Sequence, residues 1–178
     1  MSNNHRRSIL QGAALVALAF ATAACSISDQ TTVEIDPFTV KQGTYYVEQT
    51  VELPDDVQNQ AVTFDAARVN YFVESSGDIS FGGGTVTISF YVSDREEADN
   101  EGHSGPQGDE EQVFTVELES SEDLGSGSTS SFALVDILNS GQESFVVALE
   151  SESSNLFSFD GELILDLEFV LDYTVSFP

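Results

Sequence analysis

The densest chemistry in the chain lies between Ser93 and Glu111, SDREEADNEGHSGPQGDEE, where eight carboxylates share one stretch with three glycines and a proline. Calcium takes about 6–8 oxygen ligands at roughly 2.3–2.6 Å, from carboxylates, carbonyls and amides. Asp94, Glu96, Glu97, Asp99, Glu101, Asp109, Glu110 and Glu111, with Asn100 beside them, could supply such a set. Calcium is the one cofactor for which the sequence offers a place. An EF-hand register set on Glu97, Asp99, Glu101 and Gly102 puts Gly108 where the bidentate glutamate belongs, so that motif fails. A calcium site in a β-sandwich loop has no fixed spacing. The competing expectation is a solvated, mobile hairpin loop.

Other constellations are weaker. His103 sits in the same loop, next to Gly102. A Ser–His–Asp arrangement needs an imidazole held rigidly by its neighbours, which a glycine-flanked loop does not provide. Zinc would have to be held by carboxylates around that one histidine. A glycosidase needs two carboxylates at a set separation, but with 31 acids the sequence selects no pair, and there is no tryptophan to form a sugar platform. Tyr45, Tyr46, Tyr71 and Tyr91 sit at strand spacing, which suits the core or cross-strand pairs. The run FGGGT, Phe81 to Thr85, is followed by no lysine and no helical pattern, so it reads as a hairpin turn or bulge rather than a phosphate loop. No catalytic machinery is visible, and a carboxylate-based hydrolase is the remaining enzymatic alternative.

The N-terminus carries a different signal. Arg6 and Arg7 precede an alanine-rich apolar run, Gly12 to Ala24. As a helix that run would reach about 20 Å, short of a bilayer core of roughly 30 Å. A positive start, a short apolar run and small residues before a cut site describe a secretory signal peptide. Ala23 and Ala24 directly precede Cys25, the only cysteine, which rules out a disulfide within the chain. The junction resembles the lipobox of bacterial and archaeal lipoproteins, with Thr22 where leucine is usual. The stretch HRRSILQ is similar to a twin-arginine export signal, with Ile9 in place of phenylalanine and His5 in place of serine or threonine. These resemblances imply that residues 1–24 are removed and that the Cys25 thiol carries a fatty acyl chain such as palmitate. They imply a protein held to the outer face of the cytoplasmic membrane or to the outer membrane. Ser26, rather than aspartate, resembles an outer-membrane sorting signal in a Gram-negative envelope.

All 31 acidic residues follow Cys25, against three basic ones, Lys41, Arg68 and Arg95, a net charge of −28. Phosphate contacts need a basic surface, so nucleic acid is excluded as a partner. Anionic lipid headgroups are disfavoured against the domain surface for the same reason. Such self-repulsion destabilises a compact state in dilute buffer. Salt relieves it, because the screening length falls from about 10 Å at 0.1 M to about 3 Å at 1 M. A halophilic setting suits this composition. Disorder does not, since 40% of residues are hydrophobic, including 13 Phe.

The elements that must position any site are strands. TYYVEQTVEL (44–53), AVTFDAARVNYFVES (61–75), TVTISFYVS (85–93), QVFTVELES (112–120) and SFVVALES (144–151) are rich in β-branched and aromatic residues, most with an apolar face at period two. Every odd position from Leu163 to Phe177 is apolar, while the even set includes Asp166, Glu168 and Asp172. A one-residue slip would bury three carboxylates, so register is strongly specified. Fifteen residues at about 3.3 Å each would span roughly 50 Å, which predicts a bend or a strand shared by two sheets. SFALVDILNSG predicts one short helix with Ser131 as N-cap, Phe132, Val135 and Leu138 on one face, and Gly141 as C-terminal cap. Ser120 to Ser131 reads as a flexible Gly/Ser connector.

The sequence therefore predicts an all-β protein: a single antiparallel β-sandwich of Greek-key or Ig-like type, with one short helix, over residues 33–178. Residues 25–32 form a lipidated cysteine and tether. An outer-membrane β-barrel, suggested by the C-terminal alternation and Phe177, is the minor alternative. The expected function is a membrane-anchored, non-catalytic structural or binding module. Its partners are membrane lipid through Cys25 and an unidentified protein or glycan, with calcium-dependent binding as the alternative.

Overall fold

The computed structural model describes residues 26–58, 61–100, 104–154, 158–160 and 162–177. The leader, Cys25, Glu101 and His103 lie outside the described residues. Chain order is β1 (Ser26–Val40), β2 (Tyr45–Glu52), α1 (Asp55–Gln58), β3 (Val62–Ser75), β4 (Asp78–Ser80), β5 (Val86–Ser93) and β6 (Glu111–Leu118). There follow β7 (Gly125–Ser130), α2 (Phe132–Leu138), β8 (Ser144–Ser153), β9 (Ser158–Asp160) and β10 (Leu163–Ser176). Two four-stranded antiparallel sheets face each other: sheet A, ordered β1-β10-β3-β7, and sheet B, ordered β2-β8-β5-β6. They are open sheets, not one closed ring, and a short β4–β9 ladder lies apart. The antiparallel sandwich expected from the sequence is the fold.

The sheets meet through an aromatic spine. Phe169 lies at the centre, 5.8 Å from Phe145 and 6.1 Å from Phe90 between ring centroids. Phe90 stacks on Phe114 at 5.3 Å, and Phe114 on Tyr71 at 4.7 Å. Such pairs are worth about 0.5–1.5 kcal/mol each beyond the area they bury.

Strand β10 anchors sheet A. Its odd residues Leu163 to Val175 are buried, and its even residues stand on the outer face. It pairs within sheet A along its whole length, so it does not pass from one sheet to the other. The irregularities lie in its neighbours instead. Opposite Leu165–Leu167, β1 holds an extra residue at Asp36–Pro37. Proline lacks a ladder N–H, so it is tolerated at an edge-strand bulge. The bulge also switches parity, so Val33 and Ile35 before it and Phe38 and Val40 after it all face the core. Strand β3 does the same at Asp65, which brings Phe64 inward alongside Ala67, Val69 and Val73.

Three expectations are corrected. Ser26–Thr32, expected as a tether, is the exposed first half of β1, paired residue for residue with β10 from Ser26↔Ser176 to Thr32↔Val170. The length of β10 supplies ladder hydrogen bonds that a tether would give to water. The Gly/Ser connector contains an edge strand, β7, because β3 offers it an open edge from Arg68 to Val73. Gly127 pairs with Tyr71 there, and a Cβ on Gly127 would lie 2.2 Å from the Tyr71 ring. Helix α2 begins at the expected cap, with the Leu134 N–H donating to Ser131 Oγ. Its buried face, however, is Ala133, Leu134 and Leu138, and Phe132 is 84% exposed. In FGGGT, Gly82 and Gly83 both have positive φ, and the Gly84 N–H closes the turn on the Phe81 carbonyl. That turn links β4 to β5, which are not ladder partners.

Candidate functional site

The acidic stretch joins β5 to β6, but it is no free loop. Arg95 lies across the outer face of sheet B and meets three carboxylates: Glu48 at 2.8 Å, Asp109 at 2.9 Å and Glu110 at 2.6 Å. The Glu48 and Glu110 side chains are fully buried, and Arg95 grips Glu48 with two nitrogens, at 2.9 and 2.8 Å. The Tyr46 hydroxyl lies between the same two carboxylates, 2.8 Å from Glu48 Oε1 and hydrogen-bonded to Glu110 as well. Asn100 doubles the contact: its Oδ1 accepts from the Glu48 N–H, and its Nδ2 donates to the Glu48 carbonyl, as a neighbouring strand would. The Asp99 N–H donates to Glu48 Oε2, and the Ala98 N–H to Thr50 Oγ1.

The lock explains a feature of β8. Its run Phe145–Leu149 is buried on both faces. Phe145, Val147 and Leu149 belong to the sandwich core, while Val146 and Ala148 are buried on the opposite face of sheet B, outside that core. The acidic segment runs over that outer face to reach β2, fastened at Gln142 to the Asp94 carbonyl and at Ser144 to the Glu96 carbonyl. The segment does connect ladder partners, β5 and β6, as a hairpin should, but its described residues are pinned as a lid and are not a solvated, mobile loop.

Electrostatics follow from this packing. Burial pushes Glu48 up, but the Arg95 guanidinium, the Asp99 amide and the Tyr46 hydroxyl outweigh it and hold its pKa at about 2. Glu110 is raised, first by burial and then by the Glu48 carboxylate beside it. Tyr46 is raised by burial and by both carboxylates it bonds, and Arg95 is raised chiefly by Glu48. Two carboxylates in one buried site are pushed apart in this way when a single cation serves both.

Of the proposed calcium ligands, the structure brings Asp109 and Glu110 together, but on Arg95. Asp94, Asp109 and Glu111 border a cavity of about 380 Å³ with Asp136. Glu96, Glu97 and Asp99 are exposed along the lid. Among the described residues, no three carboxylate, histidine or cysteine groups are placed to hold a metal ion. Sequence reasoning missed Glu48, Tyr46 and Arg95 as a unit. The available signals were a glutamate in an aromatic strand and one of only three cations, set among acids.

A second region stands on the other side of the sandwich. The outer face of sheet A forms an open depression of about 980 Å³. Ladder register puts Glu34, Glu168, Asn70 and Ser128 in one row across four strands, with Asp166, Phe72 and Ser126 in the next. Ser128 Oγ donates to Asn70 Oδ1 at 2.8 Å, and Asn70 Nδ2 donates to Glu168 Oε2 at 2.8 Å. Phe72 stands 43% exposed among these polar groups.

No family model and no curated protein matches the chain. A solved structure titled Desmodium yellow mottle tymovirus is similar over 98% of this chain and 97% of its own, at 9% identity and a TM-score of 0.44. A likeness that distant says nothing of function.

Proposed function

We propose that the protein is an exported, lipid-anchored binding module without catalytic chemistry, and that the depression on the outer face of sheet A is its binding surface. One observation carries the binding reading. The buried carboxylates Glu48 and Glu110 are committed to Arg95, while the depression on sheet A is open, polar and floored by a half-exposed phenylalanine. A flat apolar ring ringed by hydrogen-bonding groups suits recognition of an extended surface. The anchor reading rests on the signal-like leader and the lipobox-like junction at Cys25.

Both halves are testable in one preparation. The protein is extracted from membranes of an expressing cell, and the mass of its N-terminal peptide is measured. A mature start at acylated Cys25 supports the anchor, and a free thiol or a different start refutes it. For the surface, a photo-crosslinking phenylalanine analogue is placed at Phe72 or at Phe132 and illuminated in intact cells. A discrete adduct at Phe72 and none at Phe132 supports the binding face. Equal labelling at both refutes it.

A further inference from the structure

We propose that the end of sheet A where β1 begins and β10 finishes rests on the membrane, with Ile27 and Phe177 seated in the headgroup layer. The proposal builds on the anchor reading above. Strand pairing begins at Ser26↔Ser176, so no slack separates the ladder from Cys25. A residue spans at most about 3.6 Å of chain, which keeps the Ile27 backbone within roughly 7 Å of that of Cys25. Phe177 follows Ser176, the ladder partner of Ser26, and neighbouring strands lie about 4.8 Å apart. An acylated thiol in the bilayer therefore draws both side chains into the interfacial layer, about 5–10 Å deep.

The residues at that end suit the position. Ile27 and Phe177 are two of the four exposed large hydrophobic residues among those described, at 57% and 46% exposure. Ile27 pairs with Val175 and so occupies the core-facing side of sheet A, past the end of the core, and Phe177 follows directly after the last residue of β10. The ladder is uncharged there, Ser26-Ile27-Ser28 against Thr174-Val175-Ser176, in a chain with 31 acids. The first carboxylates along these strands are Asp29 and Asp172. On β3, the other neighbour of β10, Asp65 accepts from Thr174 Oγ1 at 2.6 Å, so the carboxylate-free end is the stretch beyond that row. The strands then rise from the membrane, and the Phe72 face looks sideways along it.

The chain contains no tryptophan, so Phe177→Trp or Ile27→Trp introduces a sole indole reporter. The acylated full-length product, its Cys25 adduct verified by mass, is reconstituted in phosphatidylcholine vesicles with brominated acyl chains. High salt screens the acidic surface. Phe177→Trp and Ile27→Trp are expected to show blue-shifted emission and loss of intensity to the bromines. Phe132→Trp, on a still more exposed site elsewhere, is expected to show neither. A flexible Gly/Ser insert after Cys25 should weaken the quenching. If the first two variants match Phe132→Trp, the proposal is overturned. Should the mass reveal no acyl chain, the anchor reading fails separately. The resting face is then tested by coupling Cys25, the only thiol, to a maleimide-headgroup lipid in the same vesicles, with the same two outcomes.

Discussion

Replacing Arg95 by methionine is the sharpest test of the lid. The substitution keeps the aliphatic bulk but removes the one cation shared by Glu48, Asp109 and Glu110. Two fully buried carboxylates are then left uncompensated. Removing one partner of a buried ion pair costs about 3–5 kcal/mol, and that loss is expected at pH 7 in urea denaturation followed by tyrosine emission. The pH dependence separates this from lost packing. In the native protein the folded pKa of Glu48, about 2, lies below its ordinary value. Its contribution is therefore in place above pH ~4.3 and drains away as pH falls towards 2, an amount of about 3 kcal/mol. Glu110 has the opposite sign: its folded pKa is raised, so its contribution is full below the ordinary carboxylate value and is lost as pH rises through the raised one. In Arg95→Met both carboxylates are raised instead of Glu110 alone, so the variant should gain more stability than the native protein as pH falls from 7 to 4. The two curves converge in acid. A loss below ~1 kcal/mol at pH 7, or parallel pH profiles, would refute the account of Arg95 as the buried hub.

Further expectations follow from other parts of the molecule. Gly127→Ala should cost about 1–3 kcal/mol by overpacking against Tyr71, and the double variant with Tyr71→Ala should show strong non-additivity in the same denaturation assay. Phe169→Ala should cost about 3–5 kcal/mol, since that ring fills the centre of the spine. The melting midpoint should climb with KCl as screening relieves a net charge of −28 over residues 26–178. Millimolar CaCl₂ in place of EDTA, at fixed ionic strength, should leave that midpoint unchanged because Arg95 already serves Asp109 and Glu110. A sharp calcium-dependent rise would put a cation site in the lid after all.

Much of the sandwich was legible because strand burial writes itself at period two. Val86, Ile88, Phe90 and Val92 were readable as one buried face, and β10 from Leu163 to Val175 declared both its faces and its register. Where a bulge changed parity, the reading failed: Phe38 and Val40 sit out of phase with Val33 and Ile35, and no local signal but Pro37 announces the switch. The strand β7 was hidden for a different reason. Gly and Ser have little strand propensity of their own, and GSGSTS is extended because β3 leaves an edge open and Tyr71 needs a bare backbone beneath its ring.

The sequence by itself determined the charge, the strand-rich class and the N-cap of α2, though not its C-cap, which is Asn139 and not Gly141, since each of the three is a matter of residue type and short-range spacing. Only the tertiary structure decided what the acidic segment is. Its carboxylates could as well have faced water or a metal ion. What settles them is that Arg95 reaches Glu48, 47 positions earlier in the chain, across a sheet whose strand order is β2-β8-β5-β6. That contact is a product of topology, and no periodicity along the chain encodes it.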